Sequence, residues 1–183
     1  VSSRDTEKAH SICPPQTLIT NDPFEVVRHP EVDIVAELFG GTDLARQLVL
    51  EALQQGKHVV TANKKLLAEY GNEIFALAEQ NNLMVQFEAA VAGGIPIIKA
   101  LREGLAANNI QSIAGIINGT SNFILTEMRE KGSAFADVLK EAQALGYAEA
   151  DPTFDIEGHD AGHKITIMSA LAFGTPVNFE ACY

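Results

Sequence analysis

Asp160 and Lys164 stand four residues apart in a stretch, 156–173, whose pattern reads as one helix, so both fall on the same face. The acid precedes the base, the favourable order for an i,i+4 ion pair. Ile156, Ile167, Met168 and Leu171 lie on or beside that face, which points the pair inward or into a cleft. In water such a pair is an ordinary surface salt bridge worth about 0.3–0.5 kcal/mol. Out of water, desolvation pulls a lysine toward neutrality while the carboxylate holds it charged, and the couple becomes a tunable proton shuttle. Just upstream, Glu149, Asp151 and Asp155 place three acids in seven residues across Pro152. They read either as an acidic surface loop feeding a helix start, whose positive end favours carboxylates, or as groups that hold a substrate ammonium or hydroxyl.

Two other places could carry chemistry. Lys64 follows a strand end, where open α/β sheets bind their ligands; it could meet a phosphate or carboxylate, or simply start a helix in solvent. Glu88 is a lone acid in an apolar stretch that continues through Gly93-Gly94 to Pro96. If buried it needs a cation or a donor; if at an edge, water suffices. His58, His159 and His163 lack metal-ligand spacing and read as surface or supporting groups, and Cys13 and Cys182 sit near opposite ends with no zinc pattern.

The elements that must position these groups follow from periodicity. The first thirty residues show little of it. The run 32–39 reads as a buried parallel strand ending at Gly40-Gly41, and Thr42 is placed to cap a helix that Gly56 stops. A second strand, 57–62, completes a right-handed crossover. Helix to about 82, strand 83–90, helix 96–108, strand 110–117 with a tight turn at Asn118-Gly119, and helices 121–130 and 133–145 precede the final helix. The fold class is therefore α/β, an open sheet in the first part of the chain with helix dominating after residue 119.

With 183 residues, 46% of them hydrophobic, the chain can bury a real core. Thirteen Lys and Arg against 24 Asp and Glu give a formal net charge of -11, a surface that repels nucleic acid and anionic membranes. No apolar run is long enough to span a bilayer, there is no signal-peptide pattern, and the expected compartment is the cytoplasm.

Together the segments 37–42, 56–64, 88–98, 115–125 and 146–164 resemble homoserine dehydrogenase, in family order and spacing over roughly residues 32–178. The resemblance implies reversible NAD(P)-dependent interconversion of L-homoserine and L-aspartate 4-semialdehyde on the route to threonine, methionine and isoleucine. It implies Lys164 and Asp160 as catalytic residues, Glu149, Asp151, Asp155 and Lys64 as substrate-binding, and Lys64, Gly40 and Gly146 beside the cofactor. It further implies a monovalent cation, usually described as sodium, on Glu88 and the carbonyls of Val91, Gly93 and Ile95, and a homodimer. The architecture it implies is a truncated Rossmann-like nucleotide-binding domain, 1–62, followed by an α+β catalytic and dimerisation domain, 63–183. The family begins with a strand and GxGxxG turn that have no counterpart before Val1, and it continues past Tyr183, so a central fragment is expected. The alternatives are another semialdehyde or amino-acid dehydrogenase of this architecture, and a non-catalytic dimerisation or ligand-sensing module.

Overall fold

The computed structural model describes residues 1–183, which fall into two compact units, Val1–Gly94 and Ile95–Tyr183. In the first unit, helices α1 (Thr6–Ile12) and α2 (Pro23–Arg28) form where the sequence shows no periodicity. Each is started by an aspartate: the Asp5 carboxylate accepts from Lys8 N and that of Asp22 from Phe24 N. Strands β1 (Ile34–Glu37), β2 (His58–Thr61) and β3 (Val85–Gln86) then build a parallel sheet in the order β1-β2-β3. Helices α3 (Asp43–Gln54) and α4 (Lys64–Gln80) make the two crossovers. The boundary near 62 read from the sequence falls within this unit, because β3 hydrogen-bonds to β2 and α4 packs on α3.

Two details differ from expectation. Thr42 occupies the N-cap position of α3 without a side-chain hydrogen bond, whereas Asn63 caps α4 by accepting from Leu66 N. And β1 is buried on one face only: Val35 and Glu37 are covered, Ile34 and Leu38 are not. Right-handed crossovers between successive neighbouring strands put both helices on the same side of the sheet. On that side Val35, Val59 and Val85 of the sheet are buried, as are Leu48, Val49, Leu53, Leu66, Leu67 and Ile74 of the helices, and the other face keeps Ile34, Val60 and Met84 exposed.

Lys57, only 5% exposed, staples the entry to this sheet. Its Nζ donates to His29 O at 2.7 Å and Val32 O at 2.6 Å, tying the end of α2 and the approach to β1 to the start of β2. The four-carbon stem is buried along with the charge, an arrangement stable only because both carbonyls are engaged.

The second unit is helical. A short α5 (Ile97–Lys99) loosens into one π turn over Ala100–Gly104, well short of the helix to 108 that the sequence suggests. Residues 110–117 are irregular where a strand was expected: extended backbone needs a neighbouring strand to hydrogen-bond with, and residues 95–183 contain none. Helices α6 (Gly119–Lys131) and α7 (Phe135–Ala144) pack through Ile124, Val138, Ala142 and Ala148. The last expected helix, 156–173, starts a few residues later as α9 (His159–Phe173), and a short α8 (Thr153–Ile156) precedes it, the two separated where Gly158 takes a left-handed conformation, φ +80°. Asp151 Oδ1 accepts from both N (3.2 Å) and Oγ1 (2.6 Å) of Thr153, securing the start of α8.

Replacing Lys57 with Met should lower the stability of the full chain by about 1–3 kcal/mol, since two buried carbonyls lose their donor; an unchanged urea midpoint would show that water satisfies them instead. For Asp151, the hydrogen bonds from Thr153 hold the carboxyl below its ordinary value of 3.8. A depressed acid stabilises the fold above its unfolded pKa and loses that contribution as pH falls through the folded one. The melting-temperature gap between wild type and Asp151→Asn should therefore be present at neutral pH and close as pH drops below about 3.8; a gap persisting at pH 2 would assign it to something other than the charge.

Candidate active site

The α9 pair forms as its spacing predicts. Lys164 Nζ lies 2.6 Å from Asp160 Oδ2, with side chains 16% and 6% exposed. Asp160 sits in the first turn of α9, where the helix dipole favours a carboxylate. Nζ also donates to Ile117 O at 2.8 Å, so two acceptors from different segments fix it. An open cavity of about 350 Å³ lies alongside, lined among others by Ile117, Asn118, Asp155, Gly158 and Ala161, a size suited to a small ligand.

The start of α6 organises the acids around this pair. Asn118 caps the helix, its Oδ1 accepting from Ser121 N at 2.7 Å. Its Nδ2 donates to Asp155 Oδ1 at 2.8 Å and to Asp160 Oδ2 at 2.9 Å. Two residues on, Thr120 Oγ1 donates to Tyr147 O at 2.6 Å, and Ser121 Oγ to Asp155 O at 3.2 Å. The opposite side of α9 is held just as tightly: His163 packs against the rings of Phe154 and Phe179, and Phe179 covers Gly162 so closely that a Cβ there would come within 2.9 Å of its ring.

Of the residues singled out from the sequence, Asp155, Asp160 and Lys164 are brought together by these bonds. Glu149 is exposed on the loop after α7, whose backbone is tied by Thr120 at Tyr147 and by Gln143 Nε2 at Glu149 O, 3.1 Å. Gly146 opens that loop with φ +78°. Asp151 faces α8, as described. In the first unit, Gly40 lies in the turn after β1 and Lys64 opens α4 after β2. Glu88 begins a 3₁₀ turn, Glu88–Ala90, with Val91 and Gly93 following; Ile95 opens the second unit.

Sequence reasoning passed over three residues at the carboxyl ends of β1 and β2. Glu37, 1% exposed, accepts from Thr61 Oγ1 at 2.6 Å and from Phe39 N at 2.7 Å. Asn63 Nδ2 donates to Gly41 O at 2.7 Å and Phe39 O at 3.3 Å. Glu37, Thr61 and Asn63 thus set the shape of the turn around Gly40, at the strand ends where open parallel sheets take nucleotides. Asn118 was passed over too. Its signal was present: an Asn directly before a helical pattern is an N-cap, not the tight turn inferred from Asn-Gly.

Comparison with known proteins bears on both units. Residues 1–88 match the model of the homoserine dehydrogenase NAD binding domain, and residues 96–183 match the homoserine dehydrogenase model. A homoserine dehydrogenase of Neisseria gonorrhoeae is 79% identical over 177 residues, covering 97% of this chain and 40% of the relative. One from Bacillus subtilis is 48% identical, covering 97% of the chain and 41% of the relative. A crystal structure of a homoserine dehydrogenase from Thiobacillus denitrificans superposes with a TM-score of 0.91 at 66% identity, over 98% of this chain and 41% of that one. A hyperthermophilic archaeal homoserine dehydrogenase in complex with NADPH gives 0.78 at 37% identity, over 87% of this chain and 50% of that one. The chain thus spans about 40% of the length of the curated relatives it matches. With the two models meeting end to end across nearly the whole sequence, the chain belongs to the homoserine dehydrogenase family.

Proposed function

We propose that this chain supplies the proton-transfer group and much of the substrate pocket of an enzyme that interconverts L-homoserine and L-aspartate 4-semialdehyde with NAD or NADP. The observation that carries the reading is the desolvated Asp160–Lys164 pair, its Nζ also held by Ile117 O, beside a cavity of small-molecule size.

The chemistry follows from the geometry of one nitrogen. A neutral lysine amine has two N–H bonds and one lone pair. Ile117 O and Asp160 Oδ2 take the two N–H bonds, which leaves the lone pair as the remaining direction around Nζ. A substrate hydroxyl placed there gives its proton to Lys164, and the ammonium so formed is stabilised by the Asp160 carboxylate at 2.6 Å. In the reverse direction the third N–H returns the proton to the carbonyl oxygen. The nicotinamide, when bound, accepts or returns the hydride on the same carbon.

The remaining roles are assigned on the family resemblance and on position. The acids Glu149, Asp151 and Asp155 carry charge suited to the ammonium of an amino acid, with Asp155 the one held beside the Asp160 pair. By the family resemblance, Gly40, on the turn shaped by Glu37 and Asn63, and Lys64, at the start of α4, serve the nicotinamide cofactor; Lys64 also serves the substrate, and Gly146 the cofactor. Glu88 with the carbonyls of Val91, Gly93 and Ile95 offers the oxygen-only donors a monovalent cation such as sodium prefers. On the family resemblance, a homodimer working in the cytoplasm completes the reading. Both cysteines are free thiols, and no helix is long and apolar enough to cross a membrane.

Two variants test this in the protein expressed from its full reading frame. Lys164→Ala should reduce homoserine-dependent nicotinamide reduction about 10²- to 10⁴-fold while homoserine still binds in calorimetry; activity within a few fold of wild type would remove Lys164 from its role. Glu149→Gln should raise KM for homoserine well above any change in KM for the cofactor, and equal changes in both would exclude an ammonium contact.

A further inference from the structure

Three of the four hydrogen-bonding directions of the Asn118 carboxamide are spent, both N–H bonds among them. The oxygen starts α6 through Ser121 N, and the two N–H bonds go to two different carboxylates, Asp155 on α8 and Asp160 on α9. The group is 8% exposed, so water is a poor substitute for any of the three. The residue before it, Ile117, provides the second acceptor for Lys164 Nζ. One dipeptide therefore sets both acceptors around that nitrogen: Ile117 by its own carbonyl, and Asn118 by holding Asp160 Oδ2 in place.

We propose that Asn118 is a positioning residue for the proton transfer: a neutral bridge that keeps Asp155 and Asp160 together and aims Asp160 at Lys164. This rests on Lys164 as the proton-transfer group. The bridge has to be neutral. Two carboxylates already approach one another here, relieved by the N–H bonds of Asn118 and by the positive end of α6. A third carboxylate in its place would keep the helix cap but turn two donors into acceptors, leaving Asp155 and Asp160 to repel and the lysine ammonium over-stabilised. An aliphatic or short side chain would release both acids. Lys164 faces Asp160 on its own helix; the charges on neighbouring elements are Asp155 on α8, Arg102 and Glu103 on the π turn, and Glu180 in the final 3₁₀ turn, and all of them stay constant in the variants below.

The test compares Asn118→Ser, Asn118→Asp and Lys164→Ala in the protein expressed from its full reading frame. Ser and Asp both keep an N-cap oxygen, so both variants should fold, with melting temperatures lowered by only about a few degrees for the lost bonds to the two acids. For Asn118→Ser, kcat for homoserine oxidation should fall roughly ten- to a hundred-fold, the scale of losing a hydrogen bond to a charged group, with KM for the cofactor unchanged. For Asn118→Asp, which sets a third acid beside Asp155 and Asp160, kcat should fall at least as far, again with KM for the cofactor unchanged. Wild-type kcat in both variants, alongside an inactive Lys164→Ala, would overturn the role of Asn118 alone. An active Lys164→Ala would overturn the proton-transfer reading on which it rests.

Discussion

A lysine and an aspartate taken out of water one helical turn apart are stable only if something else holds them, and the second unit is arranged around that need. An ion pair between half-buried groups costs desolvation on both sides, which its own attraction offsets only with good geometry and further hydrogen bonds. Here those come from outside α9: the Ile117 carbonyl on the lysine and the Asn118 amide on the aspartate. The irregular run before α6, the left-handed glycine that separates α8 from α9 and the aromatic packing on the far side of α9 all serve to bring these segments to one point. The acidic loop joins them through Thr120, so the start of α6 fixes both the pair and the backbone that carries Glu149.

The first unit solves a different problem, the assembly of a small parallel sheet. Its strands are short, and what orders them is less the ladder than the polar groups at the two ends. Lys57 closes the amino-terminal edge against α2, while Glu37, Thr61 and Asn63 lock the turns at the carboxyl edge. A buried carboxylate is tolerated at Glu37 because a hydroxyl and a backbone N–H meet its two oxygens.

Much of this was legible in the sequence. Helical spacing put Asp160 and Lys164 on one face, and strand, helix and strand over 32–62 announced a parallel crossover. What escaped depended on partners distant along the chain. The apolar run at 32–39 says nothing about which of its faces a helix will cover; that follows from where the crossovers turn. Residues 110–117 alternate like a strand, but alternation is only permissive, and no neighbour is there to pair. Asn118 contacts residues 37 and 42 positions away, a relation no local pattern encodes, although its capping of α6 could have been read from its neighbours alone. The helices near the N-terminus were missed because six or seven residues are too few to show a period, even with an aspartate marking each start.

The uncovered side of the sheet gives Ile34, Leu38, Val60 and Met84 to the solvent in a chain that carries eleven excess negative charges. Those two properties oppose one another in solution. Like charge keeps copies apart beyond the reach of apolar attraction, and that reach matters only once the repulsion is screened, as the Debye length shrinks from about 10 Å at 0.1 M salt to about 3 Å at 1 M. Salt therefore weakens the charge that opposes contact at this apolar strand face while leaving the apolar attraction in place.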